Sequence, residues 1–98
     1  MSESINRPET TEDITVFYAD WCPFCAKLRE NLDRTETPHA LVDVEAEGTD
    51  EINEWIKSVN DGNRIVPTVL YSDGTTATNP SASSVRQKLR ELRDEEEA

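Results

Sequence analysis

Only two cysteines occur in this chain, Cys22 and Cys25, and they follow almost directly on a run of β-branched and aromatic residues. That junction constrains the fold more than any other stretch. Ile14-Thr15-Val16-Phe17-Tyr18 suits a buried strand. Pro23 has its φ preset for the first helical position, where the missing N–H is not needed. Strand therefore passes into helix at Cys22, and the helix is expected over 23–34. Cys25, Leu28 and Leu32 fall on its buried face.

The remaining pattern alternates in the same way. A second strand is expected over 40–44. Gly48-Thr49-Asp50 opens a helix whose apolar stripe is Ile52, Trp55, Ile56 and Val59, and Asn60-Asp61-Gly62-Asn63 ends it. A third strand over 67–71 meets the hairpin signal Asp73-Gly74, so 75–78 should return antiparallel as a fourth. Asn79-Pro80 reads as an N-cap and a first helical position, with Val85, Leu89 and Leu92 buried beyond it. The order is β-α-β-α-β-β-α, an α/β fold in which a four-stranded mixed sheet is flanked by three helices. Its first two strands run parallel through a right-handed crossover. The 98 residues hold one domain, expected over 13–93, between a disordered polar arm at 1–12 and an acidic tail at 94–98.

Ten basic against 21 acidic residues leave a net charge of -11. Such an excess repels phosphate backbones and anionic headgroups, so neither nucleic acid nor a membrane surface is an expected partner. No apolar run approaches the roughly 18 to 20 residues that span a bilayer. The first residues carry no hydrophobic core of a secretory signal, and a cytoplasmic location is expected. In a reducing compartment a close cysteine pair is catalytic or metal-binding rather than structural.

Thiol–disulfide exchange needs a thiolate, and ordinary cysteine is mostly protonated near neutrality. Unpaired N–H groups at a helix N-terminus favour the anion, which makes Cys22 the nucleophile. Cys25 lies about one turn further on and is placed to resolve a mixed disulfide formed on Cys22. Zinc would want four ligands, whereas the chain offers two cysteines and a distant His39, so no metal is expected. A structural disulfide across so short a loop would restrain little of the unfolded chain. Phe24 is expected to shape a docking surface, and Trp21 to be either a core aromatic or a lid beside the thiol. Trp55 belongs to the core by its spacing, and His39 to a solvated loop. From the residues alone Val66-Pro67 reads as a trans bond at the start of an edge strand.

Trp21-Cys22-Pro23-Phe24-Cys25, followed by Val66-Pro67-Thr68, resembles the glutaredoxin branch of the thioredoxin superfamily. The run from Ser58 to Val69, which contains Asn63-Arg64-Ile65-Val66-Pro67-Thr68, is similar to the mycoredoxins of Actinobacteria. So are Asp73-Gly74 and Thr78-Asn79-Pro80-Ser81. The resemblance covers about residues 13–92. It implies a thioredoxin-like fold, a cis bond at Val66-Pro67, and reduction of mixed disulfides between proteins and mycothiol. Cys22 would attack and become mycothiolated, and a second mycothiol or Cys25 would clear it. No cofactor would be bound, because NADPH supplies electrons indirectly through mycothione reductase. The protein would work as a monomer.

Ligand charge favours mycothiol over glutathione. Glutathione is a zwitterion with exposed carboxylates, and the lysine that many glutaredoxins place before the first cysteine has no counterpart in Tyr18-Ala19-Asp20-Trp21. Asp20 would repel an anion. Mycothiol is uncharged apart from its thiol and rich in hydroxyls, which Asn79, Ser81 and Thr68 are suited to meet. Arg64 and Lys27 remain as cations that a carboxylate could use. Trp21, Pro23, Phe24, Arg64, Val66, Pro67, Thr68, Asn79 and Ser81 are thus the expected substrate-binding set. Two alternatives stand beside this reading. One is a dithiol redoxin reduced by thioredoxin reductase and feeding ribonucleotide reductase. The other is a carrier of an iron–sulfur cluster or zinc, which Pro23 and the competing Cys25 disfavour.

Overall fold

The computed structural model describes residues 12–97. Strand β1 (Ile14–Tyr18) leads into helix α1 (Pro23–Arg34), and β2 (Ala40–Asp43) into α2 (Asp50–Val59). Strands β3 (Thr68–Tyr71) and β4 (Thr76–Thr78) form a hairpin before α3 (Ala82–Glu97). The sheet order is β2-β1-β3-β4. β1 pairs parallel with β2 and antiparallel with β3, and β4 closes the edge antiparallel to β3. This is the expected α/β architecture of four mixed strands and three helices.

The two central strands are buried on both faces, which is why they read as unbroken apolar runs. Ile14 and Val16 of β1, with Val69 and Tyr71 of β3, pack on one face against Leu28 and Leu32 of α1 and Val85, Leu89 and Leu92 of α3. Phe17 and Leu70 point the other way and meet Trp55 and Ile56 of α2. The Phe17 and Trp55 rings lie 5.3 Å apart, tilted by 52°. Both cysteines belong to this second cluster, so the N-terminal end of α1 is anchored in core rather than carried on a loop.

Several expectations need correction. β2 stops at Asp43, although Val44 stays buried and its N–H still reaches the Tyr18 carbonyl at 2.9 Å. Val59 is exposed, because the last turn of α2 runs past the edge of the apolar cluster. Asn79 does not cap α3. It takes a left-handed φ of 48°, and the helix starts at Ala82, with the Ser81 hydroxyl accepting the Ser84 N–H at 3.1 Å. The helix then continues through Glu97, so the acidic residues 94–97 extend it where a tail was expected. His39 is not solvated. Its ring is 7% exposed, with Nδ1 2.7 Å from the Thr37 carbonyl and Nε2 3.7 Å from Asp33. The arm expected over 1–12 lies, apart from Glu12, outside the described residues. Among the described residues no helix is long and apolar enough to cross a membrane.

One ion pair ties the hairpin to α3. Asp73 accepts from Lys88 at 2.7 Å and from the N–H and hydroxyl of Thr75. The Lys88 and Thr75 hydrogen bonds hold its carboxyl at about 2, against an ordinary 3.8. A depressed carboxylate stabilises the fold fully above 3.8 and loses that contribution as pH falls toward 2. Solvent screens this exposed residue, so the gain is roughly 1 kcal/mol. Urea unfolding of Asp73→Asn should show that deficit at neutral pH, and the gap to the parent protein should close in the acid range. A gap that persists at pH about 2 would show that the loss does not come from the charge.

Candidate active site

The site begins where β1 runs out. Cys22 is the N-cap of α1, with φ -88° and ψ 111°, and Pro23 occupies the first turn. Its backbone is closed into the turn by a Cys22 N–H bond to the Ala19 carbonyl and an Ala26 N–H bond to the Cys22 carbonyl, each 3.1 Å. The free N–H of Cys25 then points at the Cys22 sulfur, 3.1 Å away. Backbone N–H groups at a helix N-terminus are donors suited to anionic partners.

Opposite the sulfur lies the segment before β3. The Val66-Pro67 bond is cis, and the Val66 carbonyl accepts from the Cys22 thiol at 3.6 Å. The segment is braced from beneath. Thr68 donates its hydroxyl to the Ile65 carbonyl at 2.7 Å, and the Pro67 carbonyl accepts the Asn79 N–H at 2.8 Å. Thr68 is fully buried, so its hydroxyl supports the loop and does not face a ligand, contrary to expectation.

Cys25 is fully buried and its thiol is pushed up to about 12, first by burial and then by its hydrogen bond to Cys22. The Ala19 backbone and the Arg29 charge oppose this only partly. Cys25 therefore holds its proton near neutrality. Cys22 is itself only 3% exposed, more recessed than a freely open thiol. The aromatic residues beside it, Trp21 and Phe24, are each 63% exposed. The sulfur lies between the Cys25 N–H at the helix end and the Val66 carbonyl. Trp21 is no core aromatic, whereas Trp55 is buried as its spacing implied.

The other expected site residues divide into two groups. Phe24, Asn79 and Ser81 come together with Lys27, Leu28 and Asn31 in a groove of about 230 Å3 between α1 and the start of α3. The Ser81 hydroxyl is engaged with Ser84, and no hydrogen bond ties the Asn79 side chain among the described residues. Asn31 was missed, although Phe24, Lys27 and Asn31 fall at i, i+3 and i+7 on one helix face. Arg64 lies apart from this groove. It pairs with Glu45 at 2.7 Å and contacts Asn53 at 3.4 Å. The Glu45 carboxyl is held low, first by its hydrogen bond to Arg64 and then by the Trp21 side chain. Among the described residues no three His, Cys, Asp or Glu side chains gather as a metal site would require.

A recessed thiol at the N-terminus of α1, with a second thiol one turn further on and the Val66 carbonyl 3.6 Å away, defines a thiol–disulfide redoxin. Residues 14–75 match the protein-family model described as Glutaredoxin. Mycoredoxin 1 of Corynebacterium glutamicum is 52% identical over 80 residues, covering 82% of this chain and 96% of that protein. Among solved structures, a glutaredoxin of Archaeoglobus fulgidus matches with a TM-score of 0.64 and 20% identity, over 80% of this chain and 86% of its own. Wheat glutaredoxin matches with a TM-score of 0.58 and 20% identity, over 69% of this chain and 63% of its own. The fold is thioredoxin-like, and the chain belongs to the glutaredoxin family, within its mycoredoxin group.

Proposed function

We propose that the protein reduces mixed disulfides between proteins and mycothiol, with Cys22 as the nucleophile. The observation that carries this reading is the pairing of a capped Cys22 sulfur with a buried, protonated Cys25 beneath it. The Cys22 thiolate attacks the mycothiol sulfur of the mixed disulfide. A bond forms between these two sulfurs, the protein–mycothiol bond breaks, and the protein leaves as a thiolate that takes a proton. A second mycothiol thiolate then attacks the adduct, giving oxidised mycothiol and free Cys22 thiolate. Mycothione reductase returns the two electrons from NADPH, so this chain needs no bound cofactor.

The choice of thiol rests on the groove. Its polar groups include the amides of Asn31 and Asn79 and the Ser81 hydroxyl, which suit a hydroxyl-rich ligand. The name of the Corynebacterium relative points the same way. In this reading the protein works in the cytoplasm as a monomer, and Trp21 and Phe24 form the surface on which protein substrates land. The test is an NADPH-coupled assay on one peptide carrying either mycothiol or glutathione. Turnover should favour the mycothiol adduct by about tenfold or more, equivalent to about 1.4 kcal/mol in the barrier. Equal rates, or a preference for glutathione, would overturn the proposal.

A further inference from the structure

The Glu45–Arg64 pair plays no part in the exchange steps, yet it holds the segment that leads to Val66 beside the sulfur. Arg64 lies two residues before Val66, whose carbonyl meets the Cys22 thiol. Glu45 pairs with Arg64 at 2.7 Å, which ties that segment to the turn after β2. Its position is fixed, because its N–H bonds to the Asp43 carboxylate at 2.9 Å. Arg64 is held independently by Asn53, whose own amide is bound to the Val44 and Thr49 carbonyls at 3.0 Å each.

We infer that Glu45 is a specificity residue, which by occupying Arg64 withholds from the site a cation that a carboxylate-bearing thiol would use. The inference rests on the reading of Cys22 as the acceptor of a low-molecular-weight thiol. A carboxylate approaching along the segment before Val66 meets a guanidinium already paired and a second carboxylate that repels it. A ligand without charge loses nothing there. Glu45 thus rejects anionic adducts without contributing a contact to neutral ones, a discrimination made by repulsion. The plain alternative is a surface ion pair that only fastens the loop to α2. That role would affect all substrates alike.

Glu45→Gln separates the two. Glutamine matches glutamate in length, and Asn53 still restrains Arg64, so the change removes charge while leaving the shape in place. The measurement is kcat and KM for a glutathionylated and a mycothiolated form of one peptide, at low and high salt. E45Q should raise kcat/KM on the glutathionylated peptide about two- to fivefold, the range of an exposed ion pair, and do so through KM. The gain should fade in high salt and vanish in the E45Q/R64Q double variant, which still has Lys27. The mycothiolated peptide should be turned over as before. No gain, an equal change on both peptides, or a gain that survives loss of Arg64 would overturn the inference. If the parent protein shows no preference for mycothiol, the proposed function fails by itself. The E45Q contrast on the glutathionylated peptide remains readable in that case.

Discussion

Cys22→Ser should abolish turnover of every disulfide substrate, whereas Cys25→Ser should retain turnover of mixed disulfides with a small thiol. A serine hydroxyl at position 22 is not ionised near neutrality and cannot exchange with a disulfide, so the loss is about a thousandfold or more. At position 25 the group that matters to Cys22 is the backbone N–H, 3.1 Å from the sulfur, and serine keeps it. The Cys25 thiol holds its proton at about 12, so it contributes nothing to the first attack. Its removal also prevents a Cys22–Cys25 disulfide from draining the adduct, so the steady rate should hold or rise. Both variants are read in the coupled assay with a mycothiolated peptide. Full loss in Cys25→Ser would point to an obligatory dithiol cycle, the chemistry of a redoxin served by thioredoxin reductase.

How far the sequence foretold this site depends on how local each determinant is. The passage from β1 to α1 was legible because Pro23, the β-branched run and the apolar face of 25, 28 and 32 all act within a few residues. The hairpin was legible for the same reason, since Asp73-Gly74 specifies its own turn. Less visible was anything set by a distant partner. Arg64 reads as a free cation until Glu45, far back in the chain, is brought against it. Thr68 reads as a ligand hydroxyl until the loop before β3 turns it inward to Ile65. The start of α3 was misplaced because Asn79 and Ser81 are both good caps, and only the positive φ at Asn79 decides between them. The recess around Cys22 is a property of packing, which no motif reports.

Asn60 is the clearest case of a residue whose part was hidden, and its loss should have a large effect on stability. By composition it belongs to the turn that ends α2. In the fold it is 8% exposed, and its side chain joins three elements. The amide nitrogen donates to the Ile56 carbonyl at 2.9 Å and to the Thr68 hydroxyl at 3.3 Å, and the amide oxygen accepts from the Thr78 hydroxyl. Asn60→Ala strips partners from buried groups on α2 and β3 and from an exposed hydroxyl on β4 at once. Each such orphaned group costs about 1–3 kcal/mol, and partial exposure near β4 softens the sum to about 2–4 kcal/mol. For a domain of this size that lowers Tm by roughly 10–25 °C, measurable by thermal unfolding. Asn60→Asp should do no better. It keeps the acceptor for Thr78 but loses both donors and adds a charge in a buried place. Because Thr68 in turn supports the Ile65 carbonyl just before Val66, the Ala variant should also lose activity at temperatures where it remains folded. A variant with unchanged Tm but reduced turnover would mean that this network serves the site alone. A lower Tm with full turnover below it would mean that Thr68 holds the Val66 segment without help from Asn60.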